Sequence, residues 1–139
     1  MNCQRCVPAY EMRRRGYDVQ AKPAILDKTD RVANDWKNVF EDAVWKKIPY
    51  DKDDFREIIN SMSEWGDGAR CEICVAWDER NGHTFCAEQI DGRTVFHDPQ
   101  NSEKDAREYF FSLVKGSTIH ARIDKLIPSK MIKECCFPV

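Results

Sequence analysis

Seven cysteines are the first residues of this sequence that could do chemistry, and four of them form two Cys-x-x-Cys pairs. Such pairs are typical zinc ligands. The second pair, however, lies in a run where apolar residues alternate with more polar ones, namely Cys71, Ile73, Val75 and Trp77. This alternation predicts a strand, which would direct Cys71 and Cys74 to opposite faces of a sheet. A zinc knuckle also needs a tight turn between its ligands, and no glycine lies there to make one. We therefore expect no metal and interpret both residues as core thiols.

A hairpin in the middle of the chain has a register that the sequence itself defines. Asp91-Gly92 lies between two strand-like runs, and this dipeptide is a strong signal for a two-residue turn. The turn pairs Ile90 with Arg93 and thereby fixes every other pair of the hairpin. It therefore decides which polar side chains of the two strands share a face, because successive residues of a strand point to opposite faces.

Two polar side chains of this hairpin could form the basic half of a catalytic triad. In the register that the turn sets, His83, Asp98 and Gln100 project to one face. His83 and Asp98 are then diagonal neighbours, roughly 7–8 Å apart at Cα. An aspartate that holds a histidine fixes its tautomer and stabilises the charge that forms when the ring takes a proton. Because His97 projects to the opposite face, the register favours His83 for this role.

The N-terminal segment offers the nucleophile that this pair lacks. A cysteine at the start of a helix has its thiolate stabilised by free backbone N–H groups and by the helix dipole, and both Cys3 and Cys6 qualify. Pro8 fits best in a first turn, so it favours a helix start near Arg5 unless the first turn is irregular. The Cys3–Cys6 spacing also permits a disulfide that would mask the nucleophile under oxidising conditions. The residues alone are equally compatible with a plain His–Asp hydrogen bond and two packed thiols.

The elements that must position these residues follow from the spacing of apolar side chains. Helical spacing covers residues 3–15, 30–44, 53–65 and 104–115. Strand-like segments cover residues 17–19, 71–77, 83–90, 93–97 and 117–123. The three arginines at the end of the first helix are interpreted as a solvated helix end. Because helices come first and a meandering antiparallel sheet follows, the order predicts an α+β fold.

Composition and charge exclude several other classes of protein. The chain has 139 residues, of which 42% are hydrophobic, so it is neither disordered nor of low complexity, and we expect one domain over residues 1–139. The chain has 22 Lys and Arg residues against 24 Asp and Glu residues. The resulting net charge of −2 does not favour binding to nucleic acid or to an anionic membrane. No apolar run approaches the length of a membrane span, and the first residues lack a secretory signal, so we expect a soluble protein.

Several short motifs, taken in order, resemble those of a known family. They are Asn2-Cys3-Gln4-Arg5-Cys6-Val7, Tyr10-Glu11, Arg14-Arg15-Gly16-Tyr17, Gly82-His83-Thr84-Phe85 and Asp98-Pro99-Gln100. Together they resemble the papain-fold toxin domains, glutamine deamidases found at the C-termini of bacterial polymorphic toxins, in secreted effectors and in some prophage head proteins. The resemblance implies a papain-like or transglutaminase-like cysteine hydrolase fold, with the N-terminal helix packed on an antiparallel sheet.

The resemblance also implies the site residues and the reaction. Cys3 matches the cysteine of the family's Asn-Cys motif, and His83 and Asp98 match its histidine and aspartate, with Cys6 as the backup nucleophile. The Cys3 thiolate would attack the side-chain amide of a glutamine on a target protein, and water would hydrolyse the thioester to leave glutamate. The oxyanion donors would be the Cys3 N–H with Asn2 or Gln100, although Gln100 could equally be a structural bond to the hairpin. No cofactor is required.

The triad by itself does not fix the reaction. A cysteine protease, an acyltransferase and a transglutaminase pass through the same acyl-enzyme and differ in the acceptor that reaches it. A non-catalytic prophage structural or interaction domain is a further alternative. The resemblance implies a protein substrate, an immunity protein as a second partner, and delivery within a larger toxin or phage protein to the cytoplasm of a target cell.

Overall fold

The fold combines helices with antiparallel strands in the residues that the computed structural model describes, 2–101 and 105–139. The α-helices are α1 (Cys3–Arg14), α2 (Arg31–Asp35), α3 (Asp54–Trp65) and α4 (Ile132–Cys135), and 3₁₀ helices cover Trp36–Asn38 and Ala106–Phe111. The strands are β1 (Val19–Ala21), β2 (Lys46–Lys47), β3 (Arg70–Ala76), β4 (Gly82–Ile90), β5 (Arg93–His97), β6 (Ile119–Arg122) and β7 (Cys136–Pro138). The predicted α+β class is confirmed.

The central sheet has the strand order β2-β6-β3-β4-β5, and all its pairs are antiparallel. The hairpin register is the predicted one, with Ile90 opposite Arg93 and Cys86 opposite His97. β3 and β4 form the predicted consecutive pair, with bounds that differ by one residue at their ends. The last strand is shorter than expected, because only Ile119–Arg122 of residues 117–123 pairs with β3 and β2.

The second Cys-x-x-Cys pair lies in β3, as the alternation predicted. Cys71 is fully buried and pairs with Ala87, whereas Cys74 is half-buried and pairs with Thr84. An odd separation along an uninterrupted strand places the two thiols on opposite faces. Among the described residues, no group of three His, Cys, Asp or Glu side chains is placed to hold a metal ion.

The two faces of the sheet meet different partners. One face carries Ile73 and Phe85 and packs against α3 and the 3₁₀ helix Ala106–Phe111 in an apolar core. The other face is polar and receives α1, where Arg14 binds Glu88 at 2.5 Å and Arg70 binds Glu11 at 2.5 Å. The expected packing of the N-terminal helix on the sheet is therefore present, and charged pairs tie the two together.

The buried side chains of α1 include charged residues as well as apolar ones. Arg5 and Glu11 are also buried, because each finds a charged partner from another element or another turn. Two of the three arginines expected in solvent, Arg14 and Arg15, form ion pairs with Glu88 and Glu11. The helix end is exposed at Arg13 and Arg14, as expected, and ion pairs of Arg14 and Arg15 also tie it to the rest of the fold.

Three other segments depart from their predicted form. Helical spacing over residues 30–44 gives only α2 and one 3₁₀ turn, since Asn and Asp compete for the backbone in this stretch. The extended piece expected at residues 17–19 begins instead at Val19 and pairs with the C-terminal β7. The helix expected over residues 104–115 is the 3₁₀ helix Ala106–Phe111, and its predicted first residue, Lys104, lies outside the described residues. Four apolar side chains of this segment pack in or against the core, namely Ala106, Tyr109, Phe110 and Leu113.

In the described part of the chain, no helix is both long enough and apolar enough to span a membrane.

Candidate active site

The site lies where β5 separates from β4. The last pair of that ladder joins Cys86 to His97, while β4 continues to Gly82. His83 therefore lies in a part of β4 whose outer edge is not covered by β5. Asp98 follows β5 directly, and its Oδ1 accepts a hydrogen bond of 2.9 Å from the Gln100 backbone N–H, which fixes the turn.

His83 and Asp98 are hydrogen-bonded, as the register predicted they could be. His83 Nε2 lies 2.9 Å from Asp98 Oδ2, and the Asp98 residue is only 1% exposed. The Tyr109 hydroxyl donates to the same oxygen. Burial would raise the pKa of the Asp98 carboxyl, but the bonds from His83 and Tyr109 outweigh it and lower the pKa below its ordinary value. Asp98 is thus held as a carboxylate against the ring.

Cys3 is the first residue of α1, directly after its N-cap Asn2. Its thiol interacts with the His83 side chain and with Thr84, and both interactions lower its pKa. Because Nε2 of His83 is bound to Asp98, Nδ1 is the ring nitrogen left for the thiol. The structure therefore brings Cys3, His83 and Asp98 together in one site.

The body of α1 and its first turn meet different faces of the sheet. The Tyr10 ring of α1 contacts His97 in a tilted arrangement, with centroids 4.7 Å apart, and Arg14 binds Glu88, both on the face opposite His83. The body of the helix thus packs on one face, and its first turn reaches the other past the uncovered edge of β4. Cys3 can contact both the Thr84 backbone and the His83 ring from this position.

Cys3 and His83 shift each other's pKa in opposite directions. Burial would raise the pKa of the Cys3 thiol, yet the hydrogen bonds from His83 and Thr84 lower it below its ordinary value. Burial would lower the pKa of His83, but its bonds to Asp98 and Cys3 raise it to about 9. Both shifts favour a thiolate–imidazolium pair, which is the reactive form of a cysteine nucleophile.

Cys6, the backup nucleophile, has a different environment. It is half-buried, and burial together with the nearby Cys3 and Asp98 raises the pKa of its thiol. Within the described residues it makes no hydrogen bond to His83 or Asp98. The geometry thus places Cys3 rather than Cys6 in contact with the histidine. Pro8 lies inside α1, so the helix begins at Cys3 despite the proline.

The two predicted oxyanion candidates, Asn2 and Gln100, are placed differently. The Asn2 side-chain amide donates to the Lys22 carbonyl at 2.8 Å, so this donor is used to hold the following loop. Gln100 has an exposed side chain, and its backbone N–H binds Asp98. The N–H groups of Cys3 and Gln4 lie at the helix start, where they have no intrahelical acceptor.

Two aromatic rings, those of Trp77 and Tyr109, flank His83, and no sequence motif had indicated them. The Trp77 ring stacks on His83 with centroids 6.3 Å apart, and the Tyr109 ring meets His83 edge-on at 5.4 Å. Trp77, Tyr109 and Ser112 line a cavity of about 340 Å³ that opens beside His83. Only the fold shows that the Tyr109 hydroxyl donates a hydrogen bond to Asp98. A larger cavity of about 620 Å³ lies between α3 and the 3₁₀ helix Ala106–Phe111, and no residue of the triad lines it.

A buried acid behind the nucleophile was also missed. Glu72 is 2% exposed, and its Oε2 has no hydrogen-bond partner among the described residues. Burial, and to a smaller extent the nearby Cys3, raises the pKa of its carboxyl to about 8. A neutral Glu72 therefore adds no negative charge beside the thiolate at neutral pH.

Comparison with known proteins adds one finding to this geometry. A family model described as papain fold toxin 1, glutamine deamidase, matches residues 1–103. The match covers 103 of the 139 residues, more than half of the chain, and contains Cys3, His83 and Asp98. Tyr109 and Ser112 lie outside the matched region. No curated protein matches the chain.

Proposed function

We propose that this chain, which belongs to the papain fold toxin 1 family of glutamine deamidases, hydrolyses the side-chain amide of a glutamine in a target protein. One observation carries the proposal: His83 Nε2 lies 2.9 Å from the buried carboxylate of Asp98, and the same histidine interacts with the Cys3 thiol and lowers its pKa. This is the arrangement of nucleophile, base and orienting carboxylate that acyl transfer through a cysteine requires.

The reaction has two halves that use the same three residues. The Cys3 sulfur attacks the amide carbon of glutamine, a C–S bond forms, and the carbonyl oxygen becomes an oxyanion. When this intermediate collapses, the C–N bond breaks and His83 protonates the nitrogen, so that ammonia leaves and a thioester remains. His83 then takes a proton from water, whose oxygen attacks the thioester, releasing glutamate and the Cys3 thiol. Asp98 orients the ring throughout.

The oxyanion of both halves needs hydrogen-bond donors. The backbone N–H groups of Cys3 and Gln4 are suited to this role, because they lie at the positive end of the helix dipole beside the sulfur. The Asn2 amide already binds Lys22, which makes it a supporting residue of the helix start rather than a donor.

Two features favour a side-chain amide over a peptide bond of the main chain. Cys3 is only 5% exposed, so a reacting carbon must reach it at the end of a slender group. The cavity beside His83 has aromatic walls, Trp77 and Tyr109, which suit the methylene groups of a glutamine side chain. Ser112 at its rim is a polar contact for the substrate.

The biological setting is part of the same proposal. A toxin-type deamidase acts on a protein of the target-cell cytoplasm, to which a larger toxin or phage protein delivers it as an effector. An immunity protein would protect the producing cell by covering the cavity beside His83.

Mass spectrometry of proteins from a target-cell lysate, incubated with the purified chain, tests the reaction. Deamidation adds about one mass unit at a glutamine, because –NH₂ becomes –OH, and releases one ammonia. Cys3→Ala is the inactive control, and Cys6→Ala is the matched active one. Fragments without a mass gain would instead identify a protease, and adducts with lysine or added amines would identify a transglutaminase.

A further inference from the structure

The first turn of α1 contains a second thiol that the proposed mechanism does not use. Cys6 follows Cys3 by three residues, both are free thiols, and Cys6 is half-buried. We propose that Cys6 is a resolving cysteine: under oxidising conditions it forms a reversible disulfide with Cys3, which blocks the nucleophile until a thiol reductant restores it. This inference requires only that Cys3 is reactive, and it does not depend on which acyl-transfer reaction the site performs.

The geometry of the turn decides whether such a bond can form. In a regular α-helix, residues three apart have Cβ atoms roughly 5–6 Å apart, whereas a disulfide needs about 3.5–4.5 Å. A 3₁₀ turn brings the same positions into line, because it has three residues per turn. The Asn2 carbonyl already accepts from Arg5 N at 3.1 Å as well as from Cys6 N at 3.0 Å. The first turn therefore contains the i to i−3 bond that a tightened turn would keep.

Pro8 removes a constraint that would oppose this tightening. Proline has no N–H, so the Gln4 carbonyl does not receive the hydrogen bond that the second turn would normally donate to it. The first turn can thus tighten at the cost of the single Cys6 N–H bond to Asn2. Pro8, which in the sequence favoured a helix start near Arg5, thus makes it easier for the Cys3 and Cys6 thiols to approach each other.

The two thiols also differ in the way that a reactive and a resolving cysteine must. Hydrogen bonds from His83 and Thr84 lower the pKa of Cys3 despite its burial, whereas burial and the neighbouring Cys3 raise the pKa of Cys6. An oxidant such as hydrogen peroxide therefore reacts first at Cys3, because the thiolate is the nucleophile. Cys6 keeps its proton and remains available for the second step.

The chemistry balances with peroxide as the oxidant. The Cys3 sulfur attacks one peroxide oxygen, an S–O bond forms, the O–O bond breaks, and water leaves after protonation. The Cys6 sulfur then attacks the Cys3 sulfenic acid, an S–S bond forms, the S–O bond breaks, and a second water leaves. The two thiols together lose two electrons and two protons, and one peroxide becomes two waters.

Other cysteines compete poorly for this chemistry. Burial raises the pKa of each of the three that are most enclosed, namely Cys71, Cys86 and Cys135. Cys74 is the relevant rival, because it is half-buried and its electrostatic interaction with Cys3 places it nearby. Burial raises its pKa to about 11, and it lies on β3 rather than on the helix.

Peptide mapping of the oxidised protein tests the proposal directly. The purified chain is treated with one equivalent of hydrogen peroxide, blocked with N-ethylmaleimide, denatured and digested with trypsin. Trypsin cleaves after Arg5, between the two thiols, so the expected product is peptide 1–5 linked to peptide 6–13, separable by dithiothreitol. Alkylation of Cys3 by iodoacetamide should slow more than about tenfold after oxidation and recover fully after reduction.

Two variants distinguish a resolving role from general oxidation. Cys6→Ser should still lose Cys3 alkylation, but a further excess of peroxide should take Cys3 to sulfinic acid, which dithiothreitol does not restore. Cys74→Ser should behave as the wild type. A peptide 1–5 linked to the Cys74 peptide, or full recovery of Cys6→Ser after excess peroxide, would overturn the proposal. So would a wild-type Cys3 that excess peroxide takes to sulfinic acid as completely as it does in Cys6→Ser.

Discussion

At the scale of single residues, the contact between Cys3 and His83 separates the two thiols of the first helical turn. Cys3→Ala should abolish ammonia release, by at least about 10³-fold, because no other described thiol contacts the histidine. Cys6→Ala should keep measurable turnover and lose some stability, because it deletes a half-buried sulfur. Activity assays and thermal unfolding of both variants measure these effects. An active Cys3→Ala with an inactive Cys6→Ala would move the nucleophile by one turn.

His83 and Asp98 should differ in severity when they are changed. His83→Ala should match Cys3→Ala, since it removes the base and the acid of both reaction halves. Asp98→Asn should lower kcat strongly but less completely, because control of the tautomer is lost while nucleophile and base remain. A mutant Asp98→Asn with wild-type kcat would show that the 2.9 Å bond to His83 is structural only.

The pH dependence of activity follows from the same contacts. The pKa of Cys3 lies below its ordinary value and that of His83 is raised to about 9, so thiolate and imidazolium coexist between these two values. As the pH falls, the thiolate is lost, and as it rises through about 9, the imidazolium that must protonate ammonia is lost. We therefore expect a bell-shaped profile with its alkaline limb near pH 9. The ultraviolet absorbance of the thiolate gives the acid limb independently, and His83→Ala should move that limb upward.

We expect Tyr109 to act on the reaction through Asp98, as a positioning residue. Tyr109→Phe keeps the ring that faces His83 and removes only the hydroxyl that donates to Asp98. We expect kcat to fall roughly ten- to hundredfold with KM unchanged, which corresponds to the loss of one hydrogen bond to a charged group, worth about 1.5–3 kcal/mol. Tyr10→Phe is the matched control, because its hydroxyl meets Glu88 away from the site. Equal effects of the two variants on kcat would contradict a role for Tyr109.

The site could be predicted from the sequence only as far as local geometry reaches. The Asp91-Gly92 turn fixed the hairpin register, and that register correctly places Asp98 beside His83. Tyr109 and Trp77 escaped assignment because their meeting with His83 depends on how the loop after β5 returns to the sheet. That return is a long-range contact, which no turn residue or periodicity specifies.

At the scale of elements, α1 is held by charge as much as by apolar packing. Arg5 makes two hydrogen bonds with Asp30, at 2.8 and 3.0 Å, and both side chains are at most 4% exposed. Arg5→Met should lower the free energy of unfolding by about 3–5 kcal/mol, because it leaves Asp30 buried without its cation. Urea unfolding measures this loss.

A surface pair on the neighbouring helix provides the control for this prediction. Arg31 meets Glu134 at 3.5 Å, and its side chain is 77% exposed. Arg31→Met should therefore change stability by less than about 1 kcal/mol. If Arg5→Met is equally mild, the buried pair does not fasten the helix that presents Cys3.

The elements themselves could be predicted where the local signals agree. α3 begins one residue after the predicted start, because Asp53 caps the helix by accepting from Arg56 N, and it ends before Gly66 as expected. The pairing of β1 with β7 could not be anticipated, since it joins the two ends of the chain. The helix predicted over residues 30–44 was too long, because the spacing of apolar residues does not reflect the Asn and Asp side chains that compete for backbone hydrogen bonds.

At the scale of the whole molecule, the site lies between two separate apolar clusters. One cluster fills the space between the sheet, α3 and the 3₁₀ helix Ala106–Phe111, and the other joins α1, α2 and α4 with the C-terminal segment. α1 contributes Ala9 and Met12 to the second cluster, whereas Phe85 of β4 and Tyr109 belong to the first or pack against it. The contacts from Cys3 through His83 to Asp98 thus depend on both clusters. Destabilising either cluster should therefore weaken these contacts.

Between these clusters lies Glu72, whose burial makes the stability of the whole fold depend on pH. Burial raises the pKa of its carboxyl to about 8, well above the roughly 4.3 of an unfolded glutamate. From about pH 4 to 8 the folded state therefore keeps a proton that the unfolded state releases, and raising the pH destabilises the fold across this window. Glu72→Gln has no such proton to keep. Its Tm should exceed that of the wild type by a margin that grows by roughly 5 °C or more between pH 5 and pH 8.

The matched control for Glu72 is its neighbour on β4, Glu88. Glu88 binds Arg14 on α1 at 2.5 Å, so Glu88→Gln removes an ion pair and should lower Tm rather than raise it. The margin between Glu72→Gln and the wild type comes from thermal unfolding at the two pH values. A margin that is the same at both, or a Glu72→Gln variant less stable than the wild type at pH 8, would mean that Glu72 is ionised in the fold. The thiolate of Cys3 would then have a buried negative charge beside it, and the low pKa of that thiol would have to depend on His83 and Thr84 to a greater extent.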